Sequence, residues 1–371
     1  MNPIFEKMNE GNTLCIFHAP DLDGWMSCAV AMEAGIAAED CSNVYWYSYD
    51  KLDPDDLARR MRESGRDSFD YVLTGDISLP EEAVFTFELY GIKVVTTDHH
   101  ASSIRTYAGK KALGWKSLYV STALEDEHFA TSSEVFWIDR DNCKTRPEKV
   151  HGHNYCFFPK EGEKISGALL LWLAIHGDNT GRTPEVLELV SAWDAWDLDS
   201  EYRERGVWFN CALVSRMNRA CLLMDRNDAR NYFVQHMYHY FLAEDRDAPD
   251  WLIPEIIEEG KLLMKHNEGE WARTARSAYT IQWEGCRLLC LNARGSSLVC
   301  KSVYDPEQHE GIVMWAVNKE GKISVSLFNE NVTDSSPDFS AIAKKHGGGG
   351  HKGAAGCILS KIPPEFLTPV E

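Results

Sequence analysis

Short, wholly apolar runs alternate with longer stretches of helical spacing along the first hundred residues. Leu14-Cys15-Ile16-Phe17 is apolar at every position, the pattern of a strand buried on both faces. Residues 24–38 follow, small and apolar at helical spacing. The same reading predicts a strand over 44–49 and a helix over 54–63 with Asp53 as its N-cap. It predicts a strand at Tyr71-Val72-Leu73, a helix over 80–90 and a strand over 93–96. Strand and helix alternating at this interval predict βαβ units and a parallel sheet. In such sheets functional groups gather at the carboxyl ends of the strands.

Residues 105–164 break the rhythm, being rich in aromatic and polar residues, and read as an insertion with a few irregular strands. Helical spacing resumes over 165–176 and 184–196. Residues 200–275 are strongly charged and read as a helical connector. Strands are predicted over 279–283, 287–291, 311–317 and 322–327, with a helix over 338–346 and then a glycine-rich turn. The expected organisation is α/β throughout. Residues 1–199 form a parallel-sheet domain carrying the insertion, 200–275 the connector, and 276–371 a smaller α/β domain.

Composition narrows the function classes. With 44% hydrophobic and 26% charged residues, the 371-residue chain is globular rather than disordered. Lys+Arg is 38 and Asp+Glu 57, so the net charge is 38 − 57 = −19, a poor match to long duplex nucleic acid. Small anionic substrates stay open, because bound cations can reverse the local charge. No apolar run reaches the roughly 18 residues of a membrane span, so no membrane partner is expected. The polar opening segment has no signal-peptide core, and the 11 cysteines are odd in number and scattered. Together these place the chain in the cytoplasm with reduced thiols.

Three expected strand ends deliver acidic or imidazole groups. After Phe17 comes His18-Ala19-Pro20-Asp21-Leu22-Asp23-Gly24, after Leu73 comes Thr74-Gly75-Asp76, and after Thr97 comes Asp98-His99-His100. With these strands adjacent, four Asp and three His meet at one edge, where like charges would repel strongly. Divalent cations remove that repulsion. Mixed carboxylate and imidazole ligands suit Mn²⁺, with Mg²⁺, Co²⁺ or Zn²⁺ as alternatives. Two ions bridged by one carboxylate form the usual arrangement for phosphoryl chemistry. Asp21 and Asp23, two apart, would point the same way from an extended loop, and Gly24 would turn the chain into the helix. Near the end, Gly347-Gly348-Gly349-Gly350-His351-Lys352 offers backbone N–H groups for an anion-binding nest, with His351 and Lys352 adding donors.

Taken together, these residues resemble the DHH phosphoesterase superfamily, whose members include nanoRNases and the RecJ-type exonucleases. Asp98-His99-His100 is similar to the motif that names it, and His18, Asp21 and Asp23 resemble motif I. Asp76 resembles motif II, and Gly347 to His351 resembles the GGGH motif of the DHH-associated C-terminal domain. The resemblance covers nearly the whole chain apart from residues 105–164. It implies that His18, Asp21 and Asp76 hold one metal, and that Asp23, Asp76 and His99 hold a second, with Asp76 bridging. It further implies that His100 contacts the phosphate, that Asp98 orients the ligands, and that Gly348, Gly349, Gly350 and His351 hold substrate. One more Asp is required for the second metal. Asp194, within Ser191-Ala192-Trp193-Asp194-Ala195-Trp196 and after Ser166-Gly167-Ala168, is favoured over Asp178 of Asp178-Asn179-Thr180-Gly181-Arg182. Motif I reads His-x-x-Asp-x-Asp, one residue longer than in many RecJ-type exonucleases, and Phe328 follows Ser326-Leu327 where many members carry Arg.

Cys143, His151, His153 and Cys156 could hold zinc, but their spacing lacks a Cys-x-x-Cys pair. Cys286 and Cys290 read as core. Trp193, Trp196, Trp208, Trp251, Trp271 and Trp283 could stack bases, and read mostly as packing residues. The resulting expectation is a Mn²⁺-dependent phosphodiesterase acting by a two-metal mechanism on short oligonucleotides or dinucleotides. Its alternatives are a cyclic-dinucleotide phosphodiesterase, a polyphosphate or nucleotide 3′-phosphate hydrolase, and a non-catalytic nucleotide sensor. A homodimer is compatible with the sequence.

Overall fold

The computed structural model describes residues 2–47, 69–100, 103–104, 133–138, 154–177, 183–243, 249–329, 332–333 and 335–370. The chain divides into two compact units, Met1–His99 with Ser103–Lys261, and His100–Ser102 with Leu262–Glu371.

In the first unit the polar opening segment is a helix, α1 (Pro3–Glu10), capped by Asn2 and burying Ile4, Phe5 and Met8. It leads to β1 (Thr13–His18), α2 (Leu22–Glu33), β2 (Val44–Tyr47), β3 (Tyr71–Gly75), α3 (Glu81–Leu89) and β4 (Lys93–Thr97). Strands β5 (Ser133–Ile138) and β6 (Asn154–Pro159) come next. All six strands lie in one parallel sheet in the order β2-β1-β3-β4-β6-β5. The apolar runs are continuous because both faces are covered. Cys15, Phe17, Leu73, Val95 and Phe157 face one core, which also holds much of α2. Leu14, Ile16, Val72 and Val94 face a second core with Val84 and Phe87 of α3.

The described part of the 105–164 stretch consists of strands, and they extend the parallel sheet. Strand β6 pairs in parallel with β4, and β5 with β6, because Tyr155, Cys156, Phe157 and Phe158 bury apolar surface on both sides. The 200–275 stretch is helical but is not a uniform connector. After α4 (Gly167–His176) and α5 (Glu185–Asp194) come α6 (Arg203–Ala220), α7 (Arg226–Met237) and α8 (Leu252–Ala275). Phe209, Leu213 and Met217 of α6 and Val234 and Met237 of α7 enter the first unit's core, and the boundary between units falls inside α8. The helix expected over 54–63 and Asp53 lie outside the described residues, as do Asp178, Cys143, His151 and His153.

The second unit has β7 (Tyr279–Trp283), β8 (Cys286–Leu291), β9 (Gly311–Val317) and β10 (Ile323–Phe328), then α9 (Phe339–Lys345), β11 (Gly349–Gly350) and β12 (Ala354–Leu359). Their sheet runs β11-β12-β10-β9-β8-β7, mixed because only β8 and β9 pair in parallel. One face packs Leu288, Val313, Val325 and Leu327 against Phe339 and Ile342 of α9. Cys286 and Cys290 lie in β8 within this core, and Trp283 is buried with them. Ten cysteines are free among the described residues. No helix there is long and apolar enough to cross a membrane.

Candidate metal centre

Strands β1, β3 and β4 are neighbours, so their carboxyl ends present His18, Asp76 and Asp98-His99 side by side. Asp21 and Asp23 reach the cluster differently from the extended loop expected of them. Asp21 is the N-cap of α2 and takes the Gly24 N–H at 3.1 Å, while Asp23 lies in the first helical turn. Gly24 is likewise no turn former. A Cβ there would sit 2.0 Å from the His18 carbonyl oxygen, so its missing side chain is what lets α2 close onto β1. Asp76 follows β3 with a left-handed φ of +58°, which Asp tolerates better than most residues, and its N–H donates to the Thr97 carbonyl at 2.9 Å.

Within the described residues of the first unit two groups of ligand atoms result, with Asp76 common to both. In the first, His18 Nδ1 lies 2.9 Å from Asp21 Oδ2 and 3.2 Å from Asp76 Oδ2. In the second, His99 Nε2 lies 3.1 Å from Asp76 Oδ1, 3.1 Å from Asp194 Oδ2 and 3.7 Å from Asp23 Oδ2. Within each of the triads His18–Asp21–Asp76 and Asp23–Asp76–His99, one atom per residue lies within 4.8 Å of the others. Asp194, at the end of α5, therefore joins the residues that the sequence assigned from the first half of the chain.

The electrostatics follow from burial. Burial alone would strip His18 of its proton, but Asp21 and Asp76 outweigh it and raise its pKa well above the usual imidazole range. His99 behaves alike, with Asp194 and Asp76 overcoming its burial. Burial first, then Asp76 and Asp194, push Asp23 up well beyond the carboxylate range, against the pull of His99 and Ser166. Asp194 is pushed up by burial, partly opposed by His99. A single imidazole nitrogen facing three carboxylates can donate only one proton, so protons serve this arrangement poorly. Divalent cations fit it: oxygen-rich donors with one imidazole per triad and a shared carboxylate are a Mn²⁺, Mg²⁺, Co²⁺ or Zn²⁺ donor set.

Side chains behind the ligands hold them in place. Asp98 is fully buried and accepts a hydrogen bond from Ser78 Oγ at 2.6 Å. Arg203 Nη1 donates to the Ala192 and Trp193 carbonyls at 3.0 and 2.9 Å, closing the end of α5 beside Asp194. Its guanidinium also stands over the rings of Trp193 and Trp196. These two tryptophans thus serve packing, and Trp251 is exposed. Sequence reasoning did not find Ser78 or Arg203. Their signal, a Ser two residues after Asp76 and an Arg nine after Asp194, has no periodicity to mark it. Of the zinc candidates only Cys156 is described, and it is a core residue of β6 whose thiol burial and Asp98 push up to about 12.

His100 groups with the second unit, where its ring stacks on His351, centroids 4.9 Å apart. The glycine run there is partly committed to the fold. Gly347 and Gly348 donate their N–H groups to the Lys344 and Ala343 carbonyls, ending α9, and Gly349 and Gly350 pair with Gly356 and Ala355. The Gly348 N–H is thus spent within the fold, and a Cβ there would meet the Gly356 oxygen at 2.0 Å. Lys352 Nζ donates to the Thr333 carbonyl at 2.7 Å. Lys345 and His346 bind the Glu284 carboxylate at 3.0 and 2.8 Å, lowering the Glu284 pKa.

No family model and no curated protein matches the chain. Solved structures similar to it include a pGpG-specific phosphodiesterase, PggH from Vibrio cholerae, at 13% identity and a TM-score of 0.42, covering 94% of this chain and 93% of that one. An exonuclease RecJ bound to manganese shows 14% identity and a TM-score of 0.41, over 98% and 90% of the two chains. An uncharacterised protein from Helicobacter pylori G27 shows 14% identity and a TM-score of 0.36, over 96% and 95%. Identities and TM-scores this low leave assignment to the chain's own residues.

Proposed function

We propose that the chain is a metal-dependent phosphodiesterase of the DHH type that hydrolyses short linear oligonucleotides or dinucleotides. The observation that supports this best is the pair of ligand triads sharing Asp76 at three adjacent strand ends. In this reading His18, Asp21 and Asp76 hold one ion, and Asp23, Asp76, His99 and Asp194 hold the other. When bound, the ions, taken as Mn²⁺, supply the Lewis acidity and charge neutralisation that phosphoester hydrolysis needs. The chain's own residues do the rest. The Asp98 carboxylate, fixed by Ser78, keeps the end of β4 in place so that His99 faces the carboxylates. Asp194 is brought to His99 by α5, whose end Arg203 secures. In the second unit His100 and His351, whose rings stack, are the phosphate-holding groups.

A small substrate is favoured by the charge of −19, which leaves few cations to track a long strand. The test is product analysis after incubating the Mn²⁺-loaded protein with linear dinucleotides, an RNA ladder, cyclic dinucleotides, a nucleotide 3′-phosphate and polyphosphate. Mononucleotides from short linear RNA, fading with length, are expected. Opening of cyclic substrates with linear ones untouched would move the assignment to a cyclic-dinucleotide phosphodiesterase. A protein that takes up two Mn²⁺ yet turns over nothing would defeat the enzymatic reading in favour of a sensor.

A further inference from the structure

Asp23 is held by something other than its neighbours in the cluster. Its Oδ2 accepts the Gly167 N–H at 2.6 Å and its Oδ1 accepts the Ala168 N–H at 3.0 Å. Both carboxylate oxygens thus sit on the first turn of α4, 144 and 145 residues away in sequence. The free N–H groups and positive end of a helix favour an ionised carboxylate, opposing the burial that would protonate it. Each oxygen keeps a second lone pair, so the grip of the helix does not exhaust Asp23 as a ligand.

The same turn also abuts Asp76. A Cβ on Gly167 would lie 2.6 Å from the Asp76 Cβ, 2.8 Å from its Cα and 3.0 Å from Asp23 Oδ2. The first of these atoms is bonded directly to backbone, and the second is backbone. No side chain can be added at 167 without displacing the carboxylate shared by both triads. The turn is fixed in its own right. Ser166 caps α4, and its N–H donates at 3.1 Å to Ser191 Oγ on α5, one helical turn before Asp194. One short turn therefore touches Asp23, sets the space left to Asp76, and ties itself to the helix that carries Asp194.

We infer that the first turn of α4 is the positioning element of the metal centre, with Gly167 its decisive positioning residue and Ser191 its tie to α5. Gly167 acts through Asp23 and Asp76 by leaving no gap between them and the helix amides. This rests on the metal-dependent reading above.

The test is Mn²⁺ binding, followed by calorimetric titration, by the electron paramagnetic resonance of the bound ion, and by the rise in melting temperature at saturating Mn²⁺. Gly167→Ala is compared with Gly269→Ala, a helical position where a Cβ meets nothing within 4 Å. Gly167→Ala should fold and lose about tenfold or more in Mn²⁺ affinity, with an altered spectrum and a smaller Mn²⁺-induced shift. Gly269→Ala should match the parent in all three. Ser191→Ala, which keeps every contact of Asp23 itself, should lose about threefold, within the range for groups behind the ligands. Should Gly167→Ala fail to fold, Ser191→Ala decides alone. Parental affinity and spectrum in a folded Gly167→Ala, or in Ser191→Ala where it decides alone, would overturn the inference while leaving the metal reading intact. A parent protein that binds no Mn²⁺ would sink both.

Discussion

Asp76 joins three demands on one side chain: a left-handed φ of +58°, near-complete burial, and contacts to imidazoles on both sides. Asparagine meets the first demand and keeps the shape, but removes the shared negative charge. Asp76→Asn should therefore fold and lose roughly a thousandfold or more in turnover. Parental turnover, measured alongside circular dichroism, would remove Asp76 from its bridging position. The histidines make a second prediction, with a definite sign. His18 and His99 have raised pKa values in the folded chain, so their stabilisation is full below their unfolded value of 6.5 and drains away as pH rises through the folded one. Asp23 and Asp194 are raised as well, and they too favour folding at lower pH, with their contribution declining from 3.8 upward. In chelator the protein should melt about 5 °C higher at pH 6 than at pH 8.5, and saturating Mn²⁺ should flatten or reverse that slope. A melting temperature that climbs with pH in chelator would contradict the origin assigned to these shifts.

At the scale of elements, the end of α5 shows how a proposed ligand is placed by a neighbour with no part in the cluster. Arg203 holds two α5 carbonyls and lies 5.0 and 5.2 Å from the ring centres of Trp193 and Trp196. Arg203→Ala should destabilise the first unit by about 2 kcal/mol in denaturant melts. Arg203→Lys should recover less than half, because an ammonium lacks the planar fork that serves both carbonyls and rings. Full recovery by lysine would mean that charge alone matters there. The same scale explains what could be read from the sequence. Strands β1, β3 and β4 were legible because strands buried on both faces leave unbroken apolar runs, and the polar residues that end those runs are the proposed ligands. Helix α1 was not, since only Ile4, Phe5 and Met8 interrupt its charged face. Asp21 and Asp23 were singled out as candidate ligands but placed on an extended loop, because their spacing does not reveal that Asp21 already caps α2. The bond from α4 to Asp23 was invisible for another reason: it depends on backbone N–H groups, which every residue but proline possesses.

For the whole molecule, charge and the placement of ligands point to the size of the substrate. All six proposed metal ligands, His18, Asp21, Asp23, Asp76, His99 and Asp194, lie in the first unit. Several of the cations on the described surface are already occupied. Arg216 and Arg219 pair with Glu259, Arg273 with Glu270, and Lys345 with Glu284. A protein with a net charge of −19 and cations spent in this way gains little from each added phosphate beyond those at the metal centre. An enzyme that tracked a strand through eight phosphates would lose apparent affinity with a log–log salt slope of roughly −5 to −6. Here the slope of log(kcat/KM) against log[salt] should be shallow, about −1 to −2, at fixed free Mn²⁺. It should be the same for a dinucleotide and a 20-mer under the proposed reading, in which the longer chain engages no further cations. KM should not fall as the RNA lengthens, and the rate per chain should drop as the reactive end is diluted by unused length. A slope that steepens with length, together with a falling KM, would require a basic track and would reassign the protein to longer single strands.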